Sequence, residues 1–279
     1  MSSNKNSGSS RRHFIKNISF ASAFLITGRI TPLSANDVVG LRSKVKLRFA
    51  VASDVHYGQP NTLFEQMTET VINQMNLFHQ QSPLDFSVVN GDLIHNEKEF
   101  LPLVKGKLDI LKMPYYVTRG NHDMVTPEYW NSVWGTPLNH DVVVKDNGIL
   151  LGDTSNEKGV YLSPDLSWLN KTLETHKDKK QVFIFLHIPQ AKWTKNGIST
   201  PEVFDTIKKY PNVKAVFHGH EHDQDSFKMV EKVPYIFDAH VGGNWGTPYK
   251  GFRVVELLKD NSMITYMMNP TEKLNELSF

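Results

Sequence analysis

The chain of 279 residues contains no cysteine. That absence excludes disulfides, thiolate metal ligands, a cysteine nucleophile and a lipoprotein anchor. A broad positive field is missing too. The formal charge is +2, but residues 1–36 hold five bases (Lys5, Arg11, Arg12, Lys16, Arg29) and no acid. The remainder therefore carries 26 bases against 29 acids, about −3. Such a balance gives no bulk attraction for nucleic acid or anionic lipid, so no nucleic-acid partner is expected. The apolar stretch Ile18 to Ile30 is too short to span a bilayer comfortably, and no stable membrane anchor is expected. Internal repeats and linkers are absent as well.

What is present is an ordinary globular composition, with 39% hydrophobic and 22% charged residues. At the N-terminus, Arg11-Arg12-His13-Phe14-Ile15-Lys16 precedes the apolar stretch, and small residues follow near Ser34-Ala35. A charged region, a short apolar region and a small-residue site make an export signal. The paired arginines resemble the twin-arginine type, which carries folded proteins across the bacterial inner membrane. The expectation is a signal and disordered N-terminus over residues 1–35, one domain over 36–279, the twin-arginine (Tat) export machinery as a partner, and a periplasmic or secreted location.

Beyond residue 36, apolar runs alternate with amphipathic segments. Strands are expected at Lys44–Ser53, Leu84–Val89, Met113–Thr118, Val182–Leu186 and Val213–Phe217. Apolar spacing at Leu63, Met67, Val71, Met75 and Phe78 predicts a helix over Thr62–His79. Further helices are expected over Glu97–Leu111, Thr126–Trp134, from Ser163-Pro164 to Leu173, and near 202–209. A hairpin should turn around Asp146-Asn147-Gly148. Three more strands close the chain, at Tyr235–Asp238, Phe252–Leu257 and Ser262–Met267. Strand–helix alternation followed by a strand-rich second half argues for an α/β fold of two packed sheets flanked by helices.

Five segments at the ends of these strands bear metal-binding side chains: Asp54-Val-His56, Gly91-Asp92, Gly120-Asn121-His122-Asp123, His187 and Gly219-His220-Glu221-His222. Ligands at the ends of consecutive strands converge on one edge of a sheet. On an extended chain, Asp54 and His56 would project to one side, and so would His220 and His222. Asp92, at a sharp strand exit, could bridge two ions with its two oxygens. Oxygen and imidazole donors without sulfur suit Zn, Mn, Fe or Co better than copper or an iron–sulfur cluster. Two cations sharing a carboxylate acidify a water between them and clamp a phosphoryl oxygen.

In order and residue type the five segments resemble the calcineurin-like metallophosphoesterases, over residues 46 to about 240. The resemblance implies a four-layer double β-sandwich flanked by helices and a pair of divalent or trivalent cations, with Mn, Fe and Zn the first choices. It implies that Asp54, His56, Asp92 and His222 hold one metal and that Asp92, Asn121, His187 and His220 hold the other. His122 would act as general acid or hold the phosphate, with Asp123 orienting it. The purple acid phosphatases carry a tyrosine three residues after the bridging aspartate, and here that position is His95. His95 is thus open to a role behind the ligands or against substrate, His218 to packing beneath the site, and His240 to a place at its rim. Tryptophans 130, 134, 193 and 245 are expected to pack their loops, although one beside a cleft could stack on a base or sugar. The expected function is an exported dinuclear phosphoesterase in which a metal-bridged hydroxide attacks phosphorus. Small-molecule phosphodiesters come first as substrates. A monoesterase, a nuclease and a non-catalytic binding protein are the other readings.

Overall fold

Short strands with every residue buried set the architecture. In β4 (Phe86–Asn90) and β8 (Val182–Leu186) no side chain reaches solvent, so both faces of each strand must be covered, as in layered parallel sheets. The structure is a computed structural model that describes residues 24–27, 29–32, 40–238 and 240–269. The first sheet has the order β2-β1-β13-β12-β3-β4-β5. Its members are β1 (Phe24–Thr27), β2 (Arg29–Pro32), β3 (Val45–Ala52), β4, β5 (Tyr115–Thr118), β12 (Phe252–Leu258) and β13 (Met263–Met268). The second has the order β10-β11-β9-β8-β7-β6, built from β6 (His140–Val144), β7 (Asn147–Gly152), β8, β9 (Val213–His218), β10 (Phe227–Val230) and β11 (Val233–Phe237). Strands β3, β4 and β5 run parallel, as do β7, β8, β9 and β11.

The sheets face one another across a layer built on Phe49. Its ring stacks on Phe86 at 4.7 Å and meets the edges of Phe183 and Phe217 at 5.0 and 5.8 Å. Helices α1 (Phe64–Gln81), α2 (Leu101–Leu108) and α3 (Pro127–Trp134) cover the outer face of the first sheet. Helices α4 (Leu166–Thr175) and α5 (Pro201–Ile207) cover that of the second. The result is the expected α/β fold with four layers, helix–sheet–sheet–helix. No helix among the described residues is long and apolar enough to cross a membrane.

Local details depart from the expectations where a side chain competes with propensity. The cap of α4 is Asp165, whose carboxylate accepts from the backbone N–H of Ser167 and Trp168, rather than the Ser163-Pro164 pair before it. The β6–β7 hairpin turns at Lys145-Asp146, both at positive φ, while Asn147 and Gly148 pair in the ladder with Val144 and Val143. Edge strand β10 was not expected. Within the stretch read as a signal, residues 24–27 and 29–32 form a hairpin whose first strand pairs with β13. That hairpin covers the open edge of β13, and the pairing joins the segment expected as a signal to the sheet of the expected domain. The rest of the signal segment lies outside the described residues.

Candidate metal centre

Parallel strands deliver their C-terminal ends to a common edge, and the five motif segments leave from β3, β4, β5, β8 and β9 there. None of the first few residues continues the strand. Asp54, His56, Asp92 and His220 all have positive φ, at 55°, 47°, 51° and 68°. The extended geometry expected for Asp54-Val-His56 is therefore corrected. Main-chain bonds over-determine this unfavourable backbone: Asp54 N–H donates to Gly91 O at 3.0 Å and His56 N–H to Asp92 O at 2.9 Å. Two glycines permit the close approach. A Cβ on Gly91, itself at φ +82°, would lie 2.3 Å from His187 Nδ1, and one on Gly120 would lie 2.2 Å from Asp92 Oδ1.

The donors fall into two groups. In the first, Asp54, His56 and His222 offer atoms that all lie within 4.8 Å of one another; in the second, Asp92, His187 and His220 do the same. His56 Nε2 faces His222 Nε2 at 3.0 Å, and His222 Nε2 is 3.3 Å from Asp54 Oδ1. His187 Nε2 is 3.3 Å from Asp92 Oδ2, which also lies 3.7 Å from His56 Nε2. A single oxygen of Asp92 thus looks toward both groups. Its other oxygen accepts from the backbone N–H of His122 at 2.7 Å, which corrects the expectation that both oxygens would reach toward ions. His220 and His222, expected to project together, go to different groups because His220 has left the extended backbone.

All but one of these donors are buried; His220 is half-buried. Burial should raise the Asp54 carboxyl, but the charges of His222 and His187 outweigh it and hold the group well below its usual range. Asp92 behaves likewise, chiefly through His187. Burial lowers His187, yet Asp92 and Asp54 overcome it and push the ring up to about 10: two buried carboxylates demand a counter-charge. His56 and His220 are held neutral by burial, at about 3 and about 4, and neutral imidazole is the ligating form.

Do these residues fit cations? His220 Nε2 and Asn121 Oδ1 are buried with no hydrogen-bond partner, and His187 Nε2 has only the Asp92 carboxylate, at 3.3 Å. Each such orphan costs about 1–3 kcal/mol, and in the first group two imidazole nitrogens confront each other. Two negative carboxylates, a neutral amide oxygen and mostly neutral imidazoles match two hard or borderline cations.

Around the donors lie groups with other tasks. His122 Nδ1 donates to Asn96 Oδ1 at 2.8 Å. Asp123, expected to orient His122, does not do so. Its buried carboxylate accepts from the N–H of Ile94 at 2.9 Å and of Gly120 at 2.8 Å, which makes it a brace of the loop. Burial, with Asp92 close by, pushes it up to about 7. Trp245 is 43% exposed and stacks on His222 at 4.3 Å, whereas Trp130 is buried and Trp193 packs on Phe204 and Tyr235. His240, expected near a rim, is buried against His222 and donates from Nδ1 to Gly242 O. Sequence reasoning missed Asn96, and also Tyr161, whose ring meets the edge of His220 at 4.7 Å. It missed Asn90 too, whose carbonyl holds His187 Nδ1 at 2.7 Å. Asn90 could be placed at the end of the buried run Phe86–Val89, but its backbone carbonyl leaves no mark in the sequence, and nothing marked the other two.

The sequence profile of the calcineurin-like phosphoesterases matches residues 47–224, which take in every donor. A probable cyclic nucleotide phosphodiesterase of Fibrobacter succinogenes is 25% identical over 210 residues, 69% of this chain and 79% of that protein. A probable glycerophosphodiester phosphodiesterase of Arcobacter nitrofigilis is 33% identical over 155 residues, 50% of this chain and 56% of that protein. The crystal structure of a dimetal phosphatase from Danio rerio superposes with a TM-score of 0.66 at 16% identity, covering 82% of this chain and 98% of that one. The chain belongs to the calcineurin-like phosphoesterase family and is a metal-dependent phosphoric ester hydrolase.

Proposed function

We propose that the protein is an exported dinuclear phosphodiesterase acting on small-molecule phosphodiesters. The observation that carries the dinuclear reading is the pair of donor groups gathered around two buried carboxylates, with His220 Nε2 and Asn121 Oδ1 buried and unpartnered beside them. Asp54, His56 and His222 would hold one cation and His187, His220 and Asn121 the other, with Asp92 shared. When bound, such a pair supplies charge neutralisation for the phosphoryl oxygens and acidifies a water. The protein's own groups do the rest. Asn96 fixes the Nδ1–H of His122, which leaves Nε2 as the atom that delivers a proton to the leaving oxygen. Glu221 is buried between the two motif histidines and accepts from Thr194 Oγ1 and Asn196 Nδ2, tying the loop after β8 to the site. Trp245 and Tyr161 flank opposite donor groups and form aromatic walls.

The diester preference is supported by the two phosphodiesterase-named relatives. Hydrolysis of bis-p-nitrophenyl phosphate should vanish with chelator and return with Mn or Zn. A metal-loaded enzyme that cleaves only p-nitrophenyl phosphate would show a monoesterase instead. Export through the twin-arginine machinery is supported by Arg11-Arg12 and the short apolar stretch behind them. Fractionation should find the protein outside the cytoplasm, and Arg11→Lys with Arg12→Lys should retain it inside.

A further inference from the structure

His95 stands where no other part of the site explains it. Its Nδ1 lies 3.1 Å from His56 Nδ1, its ring stacks on His122 at 4.7 Å with 13° between planes, and its backbone N–H is tied to Tyr57 O at 3.0 Å. The contact between two imidazole nitrogens can be read only one way once His56 is a ligand. The His56 nitrogen turned toward the carboxylates is Nε2. A neutral ring that gives that lone pair away keeps its proton on Nδ1, which then donates. His95 Nδ1 is therefore the acceptor. A histidine that accepts through Nδ1 is neutral and carries its hydrogen on Nε2.

The Nε2–H so fixed has no protein partner among the described residues, and His95 is only half-buried. The stacked neighbour also commits its Nδ1, though as the donor to Asn96, and its Nε2 has no protein partner among the described residues. We propose that His95 is a substrate-contacting residue, which accepts from His56 through Nδ1 and donates through Nε2 to a non-bridging oxygen of the bound phosphate ester. The tyrosine that purple acid phosphatases place here is thus replaced by a neutral donor. The inference deepens the dinuclear reading and rests on His56 being a ligand.

Asparagine and glutamine separate the two bonds. The amide of Asn superposes on the Nδ1 position of histidine and that of Gln on the Nε2 position, so His95→Asn keeps the acceptor for His56 and His95→Gln keeps the donor toward substrate. Zinc content and zinc affinity by chelator competition, and inorganic phosphate binding by calorimetry, are measured on wild type and both variants. His95→Asn should hold two zinc equivalents as wild type does and bind phosphate about tenfold more weakly, the loss of one good hydrogen bond. His95→Gln should hold its weaker zinc about 10–100-fold less tightly and, at saturating zinc, bind phosphate within about twofold of wild type. Phosphate binding unchanged in His95→Asn, or zinc affinity unchanged in His95→Gln, overturns the proposal. Nitrogen-15 NMR of zinc-loaded wild type, which needs no variant to fold, should show the His95 proton on Nε2; a proton on Nδ1 overturns it equally. Wild type that binds no zinc strikes the dinuclear reading itself, an outcome distinct from the other three.

Discussion

In one donor group a strand-end carbonyl and a buried carboxylate steady the two histidines; in the other, neighbouring rings do. His187 is fixed by the Asn90 carbonyl at the end of β4, and His220 by its own N–H on the Asp54 carboxylate, at 3.0 and 3.1 Å. The first anchor ends a buried strand, and the second is a buried carboxylate two residues beyond β3. His56 and His222 lean on rings instead: His95 for the first, Trp245 and His240 for the second. Those rings come from the loops after β4 and β11. A strand-end carbonyl and a buried carboxylate hold rings more rigidly than loop side chains can, so the two proposed cation sites should differ in affinity beyond the difference that Asp54 in one and Asn121 in the other make.

The strongest way to break this contrast is through the residue both groups share. Asp92→Asn removes the charge from the oxygen that faces His56 and His187, and should cut kcat/KM on a diester at least about a thousandfold, roughly 4 kcal/mol. Metal analysis after dialysis should show both equivalents diminished. Retention of two full equivalents would show that Asp92 belongs to neither group. His122→Ala tests the opposite outcome, activity lost with metal kept. Without a proton donor, kcat should fall about 100-fold to 10,000-fold for an alkoxide leaving group and much less for p-nitrophenolate, at unchanged metal content. Equal losses for the two leaving groups would place His122 in phosphate binding.

Behind each group stands a supporting histidine that acid should unseat. His218, at the end of β9, and His240, behind His222, are each lowered by burial to about 4 from 6.5. A depressed imidazole stays neutral in the fold. As pH falls from 6.5 toward 4, the unfolded chain takes up protons that the folded chain refuses, so stability declines across that window and levels below it. The loss is on the order of 3 kcal/mol per histidine. Urea unfolding of the metal-free protein should show it, and replacing either residue by a neutral isostere should remove that residue's share of the decline, with His56 and His220 contributing in the same window. Chelator titration of the loaded enzyme gives the direct comparison. Two steps separated by about 10–100-fold are expected, with His222→Ala abolishing the earlier one and His187→Ala the later.

How much of this was legible in the residues depends on what each position answers to. The four layers were readable because Val182–Leu186 and Phe86–Val89 leave no polar face, and strands of that kind exist only between other layers. The donors were readable because they are chemically scarce types set at strand exits. Asp123 was misread because adjacency to His122 says nothing of direction: its carboxylate turned inward to orphan backbone N–H groups, and Asn96, from another loop, took its place. The turn at Lys145-Asp146 was misread by two residues, since Asn147 and Gly148 carry the composition of a turn but serve the ladder, with Gly148 small enough to pass His176. The hairpin of residues 24–27 and 29–32 answers to the open edge of β13, a demand that no local pattern announces.

The smallest effect tests the looser group at its exposed ring. Trp245 stacks on His222, meets the His56 ring at 5.0 Å and leaves part of its surface open to solvent. If the ring is a platform, Trp245→Ala should raise KM for an aryl or nucleoside diester about threefold to tenfold, the worth of one aromatic pair. A glycerol diester should then change less than twofold, because it offers no flat face. If the ring only steadies His222, all substrates should suffer alike, and the earlier step of the chelator titration should shift with them. Trp245→Phe separates the cases further, since a smaller ring still stacks on an imidazole but offers less surface to a base. Michaelis constants for the three proteins on the two diesters would decide whether the ring-held group is loose because it must also admit the substrate.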